Sequence, residues 1–154
     1  MIENAIGTAV AAHGFKSGDN DAYRAAGFPH VWLRQTLNSN RAVALWTPPA
    51  NVPLAASCQQ AKWDLLAHTF SIVFLYPLGV QLIAVADGIL DAHVDLADSV
   101  DKIDNQRVVL QGIFLVDTRA RRFVYWSSPF LRFTKKFHAS IAEGLRDAGL
   151  ASRE

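Results

Sequence analysis

From residue 108 to 116 the chain reads Val-Val-Leu-Gln-Gly-Ile-Phe-Leu-Val, a nearly unbroken run of strand-forming residues that predicts a central, buried strand. Asp117-Thr118-Arg119-Ala120 turns it back into a second strand over 121–127. Segments 70–76 and 80–86 predict two more buried strands around Tyr76-Pro77-Leu78-Gly79, where Pro and Gly occupy the second and fourth turn positions. Residues 30–37 and 41–47 predict a hairpin with a three-residue loop, Asn38-Ser39-Asn40, and Pro48 and Pro49 end its second strand. Residues 89–96 alternate strictly. Leu90, Ala92, Val94 and Leu96 share one face, and Asp91, His93 and Asp95 share the other, the pattern of a half-buried strand.

Helical spacing marks four further segments. Residues 2–13 place Ile2, Ile6, Ala9, Val10 and His13 on one side, with Gly14 as a stop. A short helix capped by Asp19 ends at Gly27. Pro53 suits a first turn, and Leu54, Cys58, Ala61 and Leu65 follow as one stripe. A last helix from about 135 to 148 turns Phe137, Ile141, Leu145 and Ala148 inward and stops at Gly149. The order of elements predicts one α+β domain over residues 1–154, with a mostly antiparallel sheet and helices packed on one face.

Composition supports a self-sufficient core. At 154 residues, 51% hydrophobic and 19% charged, the chain is one domain that buries roughly 70% of its unfolded surface. Cys58 is the single cysteine, so no internal disulfide forms. The start, Met1-Ile2-Glu3-Asn4, lacks a secretory leader, which places the chain as given in the cytoplasm, or in the periplasm or envelope if a leader has been removed. Residues 69–86 are uncharged, but Pro77 and Gly79 interrupt them, so two strands are expected there rather than a transmembrane segment. The net charge of +1 sets up no global field. Locally, residues 87–104 hold six Asp against one Lys, and residues 107–136 hold seven Arg or Lys against one Asp.

The sequence lacks a phosphate-cradling glycine loop, paired metal cysteines, a His-Glu-x-x-His helix and a Gly-x-Ser-x-Gly elbow. No cofactor, metal site or catalytic residue is assigned on this basis. Three constellations carry candidate chemistry. Asp91, His93 and Asp95, two apart on a strand, could meet at one divalent ion or one water, or form a solvated strand face. Arg132, Lys135 and Lys136 surround Thr134, the expected cap of the last helix. They could hold an anion against its first amides, or be neutralised by the upstream aspartates. Arg119, Arg121, Arg122, Phe123, Tyr125, Trp126, Phe130, Arg132 and Phe133 interleave cations with rings, as single-stranded nucleic-acid surfaces do. At near-neutral total charge a core with a polar rim fits them better. Cys58, on an apolar helix stripe, reads as a buried structural thiol. Spacing gives none of His13, His30, His68 and His138 a partner, and the four tryptophans read as core.

The second half carries a resemblance. Ala84-Val85-Ala86-Asp87-Gly88-Ile89-Leu90, then Leu115-Val116-Asp117-Thr118-Arg119 with Arg122-Phe123-Val124-Tyr125-Trp126, and Val43-Ala44-Leu45-Trp46-Thr47-Pro48-Pro49 before a helix resemble TolB amino-terminal-like domains and transport-auxiliary lipoproteins of bacteria. The resemblance covers roughly residues 41–148, lacks a lipid-attachment cysteine, and implies an envelope-associated binding module without catalysis. Phe74-Leu75-Tyr76-Pro77 resembles a strand of hotdog thioesterases, and Ser17-Gly18-Asp19-Asn20-Asp21-Ala22-Tyr23 resembles the second-helix entry of the polyketide-cyclase-like cone fold. The reading favoured is a noncatalytic binding or adaptor domain for a protein or small amphipathic ligand, with homo-oligomerisation left open. Its rivals are a hotdog-like acyl-thioester enzyme with Asp64 or Asp91 as base, and a single-stranded nucleic-acid binder.

Overall fold

The computed structural model describes residues 1–18, 21–36, 39–69, 77–91, 108–128 and 132–153. Their elements run α1 (Ile2–Ala11), β1 (Lys16–Ser17), α2 (Asp21–Ala25), β2 (His30–Thr36), β3 (Ser39–Trp46), α3 (Leu54–His68), β4 (Leu78–Ala86), β5 (Val108–Asp117), β6 (Arg122–Ser127), α4 (Arg132–Asp147) and β7 (Ala151–Ser152). All seven strands join one sheet in chain order.

That sheet is mixed, which corrects the expectation of a mostly antiparallel one. β1–β2, β2–β3 and β5–β6 are antiparallel, whereas β3–β4, β4–β5 and β6–β7 are parallel. The cause for β3–β4 lies in the helix between them: α3 carries the chain back to the end where β3 began, so β4 must start there. α4 does the same between β6 and β7.

Helices cover both faces, a second correction. The front core joins α2 and α3 to the sheet through Tyr23, Cys58, Ala61 and Leu65, packed on Ala42, Ala44, Val80, Leu82, Ile113 and Leu115. The back core joins α1 and α4 through Ile6, Val10, Phe137, Ile141 and Leu145, packed on Val43, Leu45, Ile83, Phe114, Val116 and Phe123. Strand alternation splits neighbours such as Leu82 and Ile83 between the two. Crossover handedness explains the division. β6 runs opposite to β5, so two crossovers of one hand, stepping the same way across the sheet, set α3 and α4 on opposite faces. On the back, Gly144 lets α4 approach α1 closely; a Cβ there would lie 3.1 Å from the Ala5 carbonyl oxygen.

Several boundaries also move. Residues 87–91 are turn, so Leu90 and Asp91 are not strand residues, and 92–96 lie outside the described residues. Thr36 pairs with Ser39, so the hairpin loop is two residues, not three. Leu78 and Gly79 already belong to β4, while 70–76 lie outside the described residues. Pro53 is the N-cap of α3 rather than part of its first turn, and α4 starts at Arg132. The glycine stops stand: Gly14, Gly27 and Gly149 all adopt positive φ. β5 carries a register irregularity opposite Val80 and Gln81. Leu110 pairs with Val80 and Gly112 with Gln81, which leaves Gln111 as the extra residue.

Candidate functional site

The carboxyl ends of β3 and β4 open into a crevice of about 750 Å³, walled by the loop from Thr47 to Pro53, the first residues of α3, and the turn from Ala86 to Ile89. The prolines Pro48, Pro49 and Pro53 hold this loop off the sheet, because they cannot continue the ladder of β3. Pro53 offers α3 no side-chain cap, and the first turn has no acidic residue, so among the described residues the leading turn of α3, whose Leu54 and Ala55 line the crevice, has no capping side chain. Among the described lining residues Asp87 alone ionises, and its carboxylate accepts a hydrogen bond from the Thr118 hydroxyl. A concave, mainly apolar pocket with few polar groups, beyond the carboxyl ends of parallel strands, is where open α/β sheets bind ligands.

Asp117 braces the floor of this end. It is fully buried, and its carboxylate accepts backbone N–H bonds from Ala120 (2.9 Å), Gly88 (3.1 Å) and Leu90 (3.3 Å). Burial acts to raise its pKa, but these amides and that of Arg119 together hold it below the usual carboxylate value. Gly88 must adopt φ 70° to bring its amide round. This capture of residues 88 and 90 bends the segment that the sequence pattern reads as a strand.

The back face carries a second polar arrangement, near the amino ends of β4 and β5. Gln81 donates from Nε2 to Gln111 Oε1 at 2.5 Å. The Gln111 amide lies over Gly79, where a Cβ would come within 2.7 Å of Oε1. His138, on α4, lies over Gly112, where a Cβ would sit 2.6 Å from Nε2. Its Nδ1 shares a 2.6 Å hydrogen bond with the Ser127 hydroxyl. The imidazole is buried, which pushes its pKa down to about 4. Nε2 of His138 and Oε1 of Gln81 are buried with no hydrogen-bond partner among the described residues. Beside this row, Arg34 and Arg41 are register partners on β2 and β3, and Arg41 is in turn the partner of Gly79.

No protein-family model, curated protein or solved structure matches this chain. Its residues alone carry the functional argument.

The structure separates the residues singled out in the sequence. Asp91 sits exposed in the turn, paired with Arg119 at 3.0 Å, while His93 and Asp95 lie outside the described residues. Among the described residues no group of three or more His, Cys, Asp or Glu is placed to hold a metal ion. Thr134 is two residues inside α4 and fully buried, so it is not the cap; Lys135 and Lys136 are exposed, and the side chain of Arg132 lies outside the description. Asp64 accepts from the Gln60 amide on the outer side of α3. Burial pushes the Cys58 thiol up to about 12, the state of an inert structural cysteine. The sequence reading missed the crevice and the Gln81–Gln111–His138–Ser127 row. A visible signal marked the row: Gly112 and two glutamines inside apolar strands, since glycine within a strand flags a bulge or a close approach.

Proposed function

We propose that this domain binds a small amphipathic ligand in the crevice at the carboxyl ends of β3 and β4. One observation carries the reading: a cavity of about 750 Å³, the size of a small-molecule site, walled by Pro48, Pro49, Val52, Leu54 and Ile89 and ended by the uncapped start of α3. The apolar wall suits a hydrocarbon or aromatic body. The leading amides of α3 suit a carboxylate or other anionic head. The described lining, mainly apolar and with Asp87 its one ionisable residue, supports recognition of a ligand. The acyl-thioester alternative gains nothing from Asp64 or Asp91, which lie on different elements and face other partners. Among the described residues no helix is long and apolar enough to cross a membrane.

The test is a calorimetric titration with medium-chain fatty acids and aromatic carboxylates, on the native chain and on Ala50→Trp. Ala50 lies in the exposed loop and lines the crevice, so an indole there fills the cavity without entering the core. Saturable binding that Ala50→Trp abolishes supports the reading. Absence of binding across the series, or binding indifferent to Ala50→Trp, overturns it.

A further inference from the structure

The crevice at the carboxyl ends of β3 and β4 is unevenly supplied with hydrogen-bonding groups. Its loop wall reads Thr47-Pro48-Pro49-Ala50-Asn51-Val52-Pro53. Every residue of this loop carries a carbonyl, but Pro48, Pro49 and Pro53 carry no N–H. The Val52 amide is turned back onto the Pro49 carbonyl oxygen at 3.4 Å. The loop is therefore rich in acceptors and short of donors. The facing turn adds a further acceptor with a full negative charge, Asp87, and no lysine, arginine or histidine stands among the described lining residues.

Asp87 is held in place. Gly88 and Leu90, which follow it, donate their amides to the buried Asp117 carboxylate, so the turn that carries Asp87 has one backbone course. The Thr118 hydroxyl donates to Asp87 Oδ1 and leaves Oδ2 with its acceptor capacity. Arg119 lies over Gly88 in the same turn, but its guanidinium is bonded to Asp91 at 3.0 Å. The same lining holds the leading turn of α3 through Leu54 and Ala55, whose first amides are met by no capping side chain among the described residues. One cavity thus has a donor pole, an acceptor pole and an apolar wall. A fatty acid answers the first pole and is repelled by Asp87, and an amine answers only the second. A zwitterion answers both at net charge zero.

We propose, resting on the crevice as the binding site, that its ligand is a zwitterionic amphiphile of the amino-acid type, with an apolar side chain on the proline wall and its ammonium group seated at Asp87. Asp87 is then a binding residue that selects the cationic group. Charge-assisted bonds from an ammonium to a carboxylate and to loop carbonyls are the strong class of hydrogen bond, and they separate an amino acid from the same molecule without its amine.

The probes are phenylalanine and leucine, each titrated calorimetrically into the full chain beside its deaminated counterpart, 3-phenylpropionate or 4-methylpentanoate. Each amino acid binds about tenfold tighter than its counterpart. Asp87→Asn keeps an acceptor for Thr118 at an exposed position and removes only the charge. It erases that tenfold preference and leaves the affinity for the carboxylates unchanged or slightly raised. Ala50→Trp abolishes the binding of both. Carboxylates that bind as tightly as the amino acids, or a preference that survives Asp87→Asn, overturn the zwitterion and leave the crevice reading standing. So do amino acids that fail to bind where their counterparts bind. A 2-phenylethylamine that matches phenylalanine overturns it in favour of a simple cation. Silence of both series, or binding indifferent to Ala50→Trp, overturns the crevice reading and this proposal together.

Discussion

Asp117 and His138 are both buried polar groups at the sheet, and they are treated in opposite ways. Asp117 is a charge whose oxygens are met by backbone amides from two turns. His138 is neutral, bonded at Nδ1 and, among the described residues, unmatched at Nε2, beside a glutamine whose Oε1 is unmatched among them as well. A buried group with its partners complete locks one backbone geometry, here the paired turns 87–91 and 117–120. A buried group with a partner missing keeps a cost of about 1–3 kcal/mol in the fold. Chains keep such costs mainly where a binding or chemical role needs the group. The carboxyl end is therefore the braced end, and the amino end of the back face is the end with polarity held in reserve.

Three perturbations probe that contrast. The largest effect belongs to Asp117→Ala. It strands the amides of Gly88, Leu90 and Ala120, and at about 1–3 kcal/mol per buried donor, softened by water entry, the loss is about 4 kcal/mol. Urea denaturation should show it as a lower midpoint with the slope unchanged.

Acid comes next. His138 titrates at about 4 in the folded chain against an ordinary 6.5, so the folded state favours the neutral ring. This contribution is complete above pH 6.5 and is lost progressively as pH falls from 6.5 to about 4, about 3 kcal/mol in all. The lowered Asp117 pKa acts in a separate window, with stability lost only as pH falls below the ordinary carboxylate value of 3.8. A stability profile against pH should therefore show two descents. His138→Gln should flatten the upper one and leave the lower.

The smallest effect is Gly112→Ala. The added methyl meets the His138 ring, and the overpacking costs about 2 kcal/mol. In the His138→Ala background the same change should be nearly neutral. A double-mutant cycle with coupling below about 0.5 kcal/mol would show that the two do not touch.

Local structure was legible in the sequence to the extent that its causes are local. The apolar run 108–116 became β5, and Gly14 and Gly149 stopped their helices because positive φ there needs no partner beyond the chain itself. Strand pairing was not legible. An apolar run shows that a strand is buried, not which neighbour it meets or in which direction, so the parallel pairings and the two helical layers went unread. Residues 87–91 show the limit of periodicity, because a carboxylate 26 residues beyond Asp91 overrides the alternation of the strand pattern. The His138–Ser127 bond was invisible for the same reason: 11 residues and a change of element separate the partners.

The close approach of α1 to α4 at Gly144 also bears on how the molecule comes together. The back layer is made from the first helix and the last, while the front layer uses α2 and α3, which lie between them. During synthesis, β2, β3, α3 and β4 can consolidate while α1 has no helix to pack against. Ile6 and Val10 can meet the sheet early, through Trp32, Val43 and Leu45, but the part of their apolar side that packs on α4 is covered only once residues 132–147 have been made. α1 and α4 thus join from far apart in the sequence, and Met1 and Leu150 line the same cleft.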